Sequence, residues 1–215
     1  MKVEINCPHR LARASATRNY AWTFELLKYS KLEHEEIILD ALNDAFIRKC
    51  NTASKHESLD ETLSSIIKVA YANICHEFEL RQIDTTNVID DYFFSIAFAK
   101  VKPLGEIDVL TSGPSLVTVN REMHIFDTRY QDTARSLVNK GFDFEAMVLE
   151  LRRLSNNNPS VGGFPVATFC TCDAKLHSFE FNERDDEVQL FSFANVIDKQ
   201  DIERGYVGYV RITPY

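Results

Sequence analysis

The sequence changes its hydrophobic period near residue 91. Before that point apolar residues recur at spacings of three and four, the pattern of helices that bury one face; after it come short segments rich in Phe, Val and Ile, which are typical of β-strands. Helices followed by a run of strands indicate an α+β domain. We therefore predict one domain over residues 1–215, with a helical hairpin at 32–80 and a strand-rich part at 91–215 that includes two helices.

The helical hairpin is the most strongly marked part of the sequence. One apolar stripe runs from Glu33 to Cys50. In the second helix Ser58 and Glu61 have the spacing of a capping box, in which each side chain bonds a free amide of the first turn, and apolar residues then hold one face as far as Phe78. The connector 51–57 is short and polar, so we expect the two helices to pack antiparallel.

The strand-rich part begins with the apolar run Tyr92–Val101, which predicts a strand buried on both faces. Three short strands follow it, and the turn residues Gly113-Pro114 and Asn120-Arg121 between them predict an antiparallel meander. These strands are Glu106–Thr111, Ser115–Asn120 and Met123–Asp127.

Helical spacing then returns, and further strands follow. The expected helices are Gln131–Lys140, Asp143–Leu154 and a short one at Val196–Arg204; the expected strands are Pro165–Asp173, Leu176–Phe181, Glu187–Phe193 and Tyr206–Ile212. The sequence leaves open whether the strands form one sheet or two packed face to face. The fold class is therefore α+β, with the helical hairpin packed on one or two antiparallel sheets.

Charge and cysteine usage restrict the partners and the compartment. The net charge of −8 disfavours nucleic acid, because proteins that bind it present basic faces to phosphate. No run of about 18 apolar residues predicts a membrane span. Five cysteines, an odd number, without a secretory signal favour a reducing, cytoplasmic compartment over a disulfide framework.

The first 22 residues depart from the acidic balance. We interpret residues 1–31 as an irregular N-terminal segment, although a basic arm or a targeting peptide would have a similar composition. The basic residues there are Lys2, His9, Arg10, Arg13 and Arg18.

The densest set of potential ligands or nucleophiles is Cys170-Thr171-Cys172 with Asp173 and His177. A structural zinc site normally has four ligands, and no second pair in the sequence completes one here. A reactive thiol needs a neighbouring cation or helix N-terminus to lower its pKa, and the sequence indicates neither. Two small core residues on a β-strand are therefore the favoured interpretation of Cys170 and Cys172.

The other candidate motifs are weaker evidence for a catalytic or ligand-binding site. Cys75 and His76 are adjacent on a helix and diverge by about 100 degrees, so they do not form a nucleophile and base pair. The sequence contains no nucleophile elbow and no glycine-rich phosphate loop. Two acidic clusters could hold a divalent cation but are interpreted as a solvated turn and the outer face of a helix: Glu183, Asp185, Asp186 and Glu187, and Asp198, Asp201 and Glu203.

The segment TSGPSLVTVNREMHIFDTRYQDTARSLVNKGFDFEAM, preceded by two helices and a buried strand, resembles the middle of PPM-type metal-dependent serine/threonine phosphatases. In that family a Gly-Asp-Ser-Arg turn leads through a hairpin to a Thr-x-Asp-His stretch, a helix and a glycine. The similarity covers at most Leu59 to Leu176. Gly113-Pro114-Ser115-Leu116 stands where the family turn lies, and Cys172-Asp173-Ala174 stands at the metal-binding Asp-Gly. The resemblance implies a four-layer helix–sheet–sheet–helix architecture.

The sequence lacks the metal-binding motifs of this family. The family's N-terminal Asn-Glu-Asp and central Asp-Gly-x-Gly-Gly, which supply carboxylates to two metal ions, have no counterpart, so at most Asp173 remains. We therefore assign no catalytic, cofactor-binding or metal-ligating residue and expect no cofactor. A non-catalytic protein-interaction or regulatory module is the favoured function, with a protein partner or self-association and without nucleic acid or membrane. The alternative is a divergent hydrolase, metal-dependent or thiol-dependent through Cys170 or Cys172.

Overall fold

A computed structural model describes residues 1–7, 10–27, 34–84, 93–112, 115–127, 135–143, 146, 150, 164–165, 175–181, 186–192 and 208–213. Its helices are α1 (Glu35–Thr52) and α2 (Leu59–Leu80). Its strands, in chain order, are β1 (Lys2–Asn6), β2 (Ala12–Ala16), β3 (Tyr20–Leu27), β4 (Phe93–Val101), β5 (Glu106–Ser112), β6 (Ser115–Val119), β7 (Glu122–Asp127), β8 (Phe164–Pro165), β9 (Lys175–Glu180), β10 (Val188–Ser192) and β11 (Gly208–Thr213).

The strands form two antiparallel sheets packed face to face. The five-stranded sheet has the order β1-β11-β10-β6-β7, and the six-stranded sheet has the order β2-β3-β4-β5-β9, with β8 beside β4. Apolar residues of both sheets, such as Val109 and Leu190, form one core between them. The α+β prediction is confirmed, and the sheets are two rather than one.

The predicted meander of β5, β6 and β7 is wrong in its first step. β6 and β7 do form a hairpin, and Asn120 and Arg121 turn it with φ of 49° and 68°. However, β5 pairs with β4 and β9 in the six-stranded sheet, while β6 pairs with β10 in the other sheet. The chain therefore crosses between sheets after Ser112. β5 and the first three residues of β6 are buried on both faces, so their local pattern did not distinguish these alternatives.

The expectation that residues 1–31 are irregular is also wrong. β1 pairs with β11 near the other end of the chain, and β2 forms a hairpin with β3. Within β3, Tyr20, Trp22, Phe24 and Leu26 face the helices, and every one of them is buried. This alternation is the strand period of two, and it explains why an aromatic cluster follows the basic residues.

The helical hairpin packs on the outer face of the six-stranded sheet. α1 contributes Phe46, whose ring lies 5.2 Å from Trp22, 5.7 Å from Phe24 and 5.3 Å from Phe98, measured between ring centroids. Such offset and edge-on ring pairs add to the free energy gained by burying apolar area. The hairpin predicted at 32–80 is confirmed, and this aromatic group fixes it to the sheet.

The start of α2 has the predicted capping box. The Ser58 Oγ accepts the Glu61 amide at 3.2 Å, and the Glu61 carboxylate accepts the Ser58 amide at 3.0 Å. These bonds satisfy amides that have no partner within the helix. The Ser58 amide and the Ser58 hydroxyl both donate to the Glu61 carboxylate and favour its charged form, so the pKa of Glu61 is lowered.

Several predicted elements lie partly or wholly outside the described residues. Residues 135–139 are helical, as expected for part of 131–140, while the strand at 166–173 and the helix at 196–204 are not described. The strands expected near Leu176, Glu187 and Tyr206 are confirmed as β9, β10 and β11. None of the described helices is both long enough and apolar enough to cross a lipid bilayer.

Candidate functional site

The space between the two sheets is apolar at one end and polar at the other. The apolar end holds residues such as Ala99, Val109, Leu190 and Ile212. The polar end is made by side chains that continue the same inward-facing rows, as the strand register shows. They are Thr23 and Glu25 of β3, Ser95 of β4, Thr111 of β5, Ser115 of β6 and Ser192 of β10, and all six are buried.

A hydrogen bond joins the two sheets at this polar end. The hydroxyl oxygens of Thr23 and Ser192 lie 2.8 Å apart, and neither residue has any solvent exposure. Ser115 lies beside Ser192 in the register of the five-stranded sheet. Hydroxyls are neutral near pH 7, so this part of the interior is hydrogen-bonded without carrying charge.

Glu25 is the carboxylate that the structure describes as buried at the polar end. It is 1% exposed and stands between Ala12 and Ser95 in the register of the six-stranded sheet. Burial raises the pKa of the Cys7 thiol, the negative charge of Glu25 raises it further, and Arg13 acts in the opposite direction. Cys7 is therefore a neutral thiol at pH 7 rather than an activated nucleophile.

The structure does not assemble the predicted cysteine and histidine set. Cys170, Cys172 and Asp173 lie outside the described residues, so their roles stay predictions. His177 lies on β9, half-buried on the inter-sheet face and opposite Val109 in the register. On the same face, the Phe179 ring packs edge-on against the His124 ring of β7, with centroids 5.6 Å apart.

The two helical cysteines pack in the core between the helices and the six-stranded sheet. Cys75 is half-buried in the α2 interface, whereas His76 is exposed on the outer surface of the same helix. Cys50 is 6% exposed, and burial raises its pKa to about 12. Cys7, Cys50 and Cys75 are all free thiols.

The interpretation of the Glu183–Glu187 cluster as a solvated turn is wrong for Glu187. Glu187 is 5% exposed and pairs with Arg211, which also reaches Glu4 at 3.3 Å. Asp186 accepts a hydrogen bond from Asn120 at 2.9 Å. These contacts tie β1, β11, β10 and the β6–β7 turn together, so this part of the cluster is structural. Glu183, Asp185, Asp198, Asp201 and Glu203 lie outside the described residues.

A two-metal centre does not fit the described residues. In that part of the chain, no three His, Cys, Asp or Glu side chains come together in a way that could hold a metal ion. At the polar end the register neighbours of Glu25 are Ala12 and Ser95, and neither supplies one of the several carboxylates that two adjacent divalent ions require.

The sequence alone does not indicate the polar end. The local signal is in β3, where Thr23 and Glu25 are polar residues at alternate positions. In a strand such residues lie on the same face, so this spacing indicates a polar patch on one side of β3. The partner hydroxyl of Thr23 belongs to Ser192, 169 residues away, and no local pattern indicates such a pair.

Comparisons with known proteins support a fold assignment and no more. No family model matches the sequence, and no curated protein does. Among solved structures the chain is similar to PppA, described as a key regulatory component of T6SS in Pseudomonas aeruginosa (TM-score 0.56, 10% identity, 99% of this chain and 96% of that one). It is also similar to the catalytic domain of the serine/threonine phosphatase PstP in complex with two manganese ions (TM-score 0.53, 12% identity, 98% of this chain and 95% of that one).

A third similar structure is a C. elegans sex-determining protein (TM-score 0.54, 11% identity), of which the chain covers 64%. All three identities are too low to transfer an activity, because one fold supports many functions. The two stacked antiparallel sheets with a helical hairpin on the six-stranded one agree with the resemblance noted in the sequence. The chain therefore has the fold of the PPM-type serine/threonine phosphatases.

Proposed function

We propose that this chain is a non-catalytic interaction or regulatory module built on the PPM phosphatase fold. The observation that carries the proposal is the polar end of the sandwich, where Thr23 and Ser192 bond across the sheets and Glu25 is the only carboxylate among the side chains that the structure describes as buried there. The solved PstP domain holds two manganese ions on the same fold. A chain that keeps the fold with neutral hydroxyl groups at the polar end is better suited to present a surface than to bind such ions.

The other buried carboxylates of the described residues support the same proposal. Each of them is engaged by a cation at a separate place in the fold, so they do not converge on one site. Glu35 lies 3.5 Å from Arg10, Asp108 lies 2.8 Å from Lys102, and Glu187 pairs with Arg211.

The decisive experiment is a phosphatase assay on the purified chain. We expect p-nitrophenyl phosphate and a phosphothreonine peptide to be hydrolysed no faster than in a protein-free blank, with Mn²⁺ or with Mg²⁺. Glu25→Gln is the matched control, because it removes the charge of the polar end and keeps the side-chain shape. Any trace rate from a contaminating enzyme will be the same in this variant.

A metal-dependent rate that Glu25→Gln or Asp173→Ala abolishes would overturn the proposal and favour a divergent metal-dependent hydrolase. A metal-independent rate lost in Cys170→Ala or Cys172→Ala would favour the thiol-dependent form instead. Both results assign the activity to named residues of this chain, so they are distinguishable from a contaminant.

A further inference from the structure

β1 forms one edge of the five-stranded sheet. It pairs with β11 through all five of its residues, Lys2 to Asn6, without a register shift, and among the described strands none pairs with its other side. Proteins commonly protect such an edge with a β-bulge, a proline or a covering element, because its free backbone groups can pair with another chain. β1 contains no proline and no bulge, so it is a regular strand that can accept a further strand.

Two other described edges differ from β1 in this respect. β7, at the opposite end of the five-stranded sheet, has an irregular register with β6 between Val117 and Thr118. β2, at one end of the six-stranded sheet, is tied to α1 by Arg13, which bonds to Glu36 at 2.6 Å and to Asp40 at 2.8 Å. Of these three edges, β1 has the geometry that most favours pairing.

The inner face of β1 exposes apolar side chains at this edge. Val3 lies opposite Ile212, and Ile5 lies opposite Val210. Both partners belong to the core between the sheets, so Val3 and Ile5 face that core. Ile5 is nevertheless 44% exposed, and Met1, which the strand alternation places on the same side, is 39% exposed. A strand added beside β1 would cover these side chains.

The outer face of β1 carries one charge of each sign. Lys2 and Glu4 are both exposed and share this face, and within the described residues Lys2 forms no ion pair. The Glu4 carboxylate accepts hydrogen bonds from Tyr209 at 3.0 Å and from Arg211 at 3.3 Å. Arg211 is shared with Glu187, and the Glu4 side chain remains 57% exposed. Because a carboxylate has about four acceptor sites, Glu4 can accept a further cation.

We propose that two copies of this chain pair through β1, antiparallel and centred on Val3, to form one continuous sheet with five strands from each copy. Side chains directly opposite each other in such a pair lie on the same face of the sheet. In this register Lys2 lies opposite Glu4 of the second copy, and the two-fold symmetry repeats that pair. Met1 lies opposite Ile5 of the second copy.

The charges of β1 favour this register and this partner. Centring the pair on Lys2 or on Glu4 would place like charges directly opposite each other, which is destabilising. Charges on an edge strand discourage pairing with an arbitrary strand, but those of β1 complement the same strand of a second copy.

Both copies use the same strand, so the contact closes as a dimer and does not extend into a filament. An interface of one strand pair is small, and we therefore expect a weak dimer. The pairing rests on the proposed interaction role and gives it a partner, a second copy of the chain. It uses none of the buried side chains of the polar end.

Sedimentation equilibrium of the full chain over a wide concentration range tests the pairing. We expect the mass of the wild-type chain to rise with concentration from one chain towards two. Lys2→Glu should weaken association about tenfold or more, because it converts both opposite-charge pairs into like-charge pairs. Lys68→Glu is the matched control, since it makes the same charge change at an exposed position of α2.

Mixing two variants tests the pairing of opposite charges. Glu4→Lys should also weaken association, because it places a cation opposite Lys2 of the second copy. An equimolar mixture of Lys2→Glu and Glu4→Lys should form dimers that neither variant forms alone, since each copy then supplies the charge that the other requires. Circular dichroism melts of both variants confirm that they are folded.

A disulfide trap tests the register. Val3 lies on the two-fold axis, where opposite Cα atoms are about 4.5–5.5 Å apart, so Val3→Cys should form a disulfide-linked dimer under mild oxidation. Ile5→Cys is the control, because in this register the two copies of residue 5 are roughly 13 Å apart. The wild-type chain shows any crosslinking by the native thiols on the same non-reducing gel.

Three results would overturn the proposal: a wild-type chain that stays monomeric at every concentration, association that Lys2→Glu and Lys68→Glu change equally, and a disulfide that forms in Ile5→Cys but not in Val3→Cys. None of these results bears on the phosphatase assay, which reports on the polar end. A failure of this dimer is thus separable from a failure of the proposed function.

Discussion

The hydrogen bond between Thr23 and Ser192 can be removed from either side or from both. Valine has nearly the shape of threonine, and alanine lacks only the oxygen of serine, so Thr23→Val and Ser192→Ala change the polar groups while leaving the packing close to native. Both residues are fully buried, and their hydroxyl oxygens are 2.8 Å apart. Each single change leaves the other hydroxyl in the sheet interior without this partner.

The expected loss in the free energy of unfolding differs between the single variants and the double variant. Leaving one buried hydroxyl without its bond costs about 1–3 kcal/mol, whereas replacing both members by apolar groups is closer to neutral. The double variant should therefore cost less than the sum of the single variants, with a coupling of about 1 kcal/mol. For a chain of this size, 1 kcal/mol corresponds to a change of roughly 2–4 °C in the melting temperature.

Urea unfolding followed by tryptophan fluorescence measures these differences directly. The chain has one tryptophan, Trp22, which is fully buried in the adjacent row of β3 and reports on the same sheet. Four proteins are compared: the wild type, the two single variants and the double variant. Strictly additive costs, or single costs below about 0.5 kcal/mol, would refute the conclusion that the two hydroxyls form a buried pair across the sheets.

Three further predictions concern other parts of the fold. Lys100→Met should lower the free energy of unfolding by roughly 2 kcal/mol in a urea titration. The Lys100 ammonium donates to the carbonyls of the α1–α2 connector and lies 5.7 Å from the Tyr20 ring centroid, and the substitution removes both contacts. Lys55→Met, at an exposed position, is the control. Ser58→Ala should cost about 1 kcal/mol near pH 7, measured by circular dichroism. Because the pKa of Glu61 is lowered in the fold, its contribution is present above the ordinary glutamate pKa and is lost as pH falls through the folded value, so a pH series should show this loss in the wild type and less of it in Ser58→Ala. Cys50, with a pKa of about 12, should react with Ellman's reagent only after unfolding, and rapid reaction in the native state would contradict its burial.

The sequence predicted elements whose pattern is local. The capping box of Ser58 and Glu61 needs only a spacing of three, and it is present as expected. The continuous apolar run Tyr92–Val101 predicted a strand buried on both faces, and the structure has β4 there, in the middle of the six-stranded sheet. Each of these features depends only on residues that are close to it in the sequence.

The features that the sequence did not predict depend on distant pairings. β1 pairs with β11, and the basic composition of the first residues concealed its short strand. The step from β5 in one sheet to β6 in the other has no local signal, because β5 and the first three residues of β6 are buried on both faces. The polar end of the sandwich brings together Thr23 and Ser192, which are 169 residues apart.

The central proposal is that this chain, which has the PPM phosphatase fold, does not bind a pair of metal ions, and calorimetric titration with Mn²⁺ tests it most directly. The titration uses the full wild-type chain, freed of metal by a chelator and then dialysed, with the Glu25→Gln variant alongside it. We predict only weak, unsaturable heats into the millimolar range, identical in both proteins. Saturable binding of two ions per chain, reduced in Glu25→Gln, would contradict the claim.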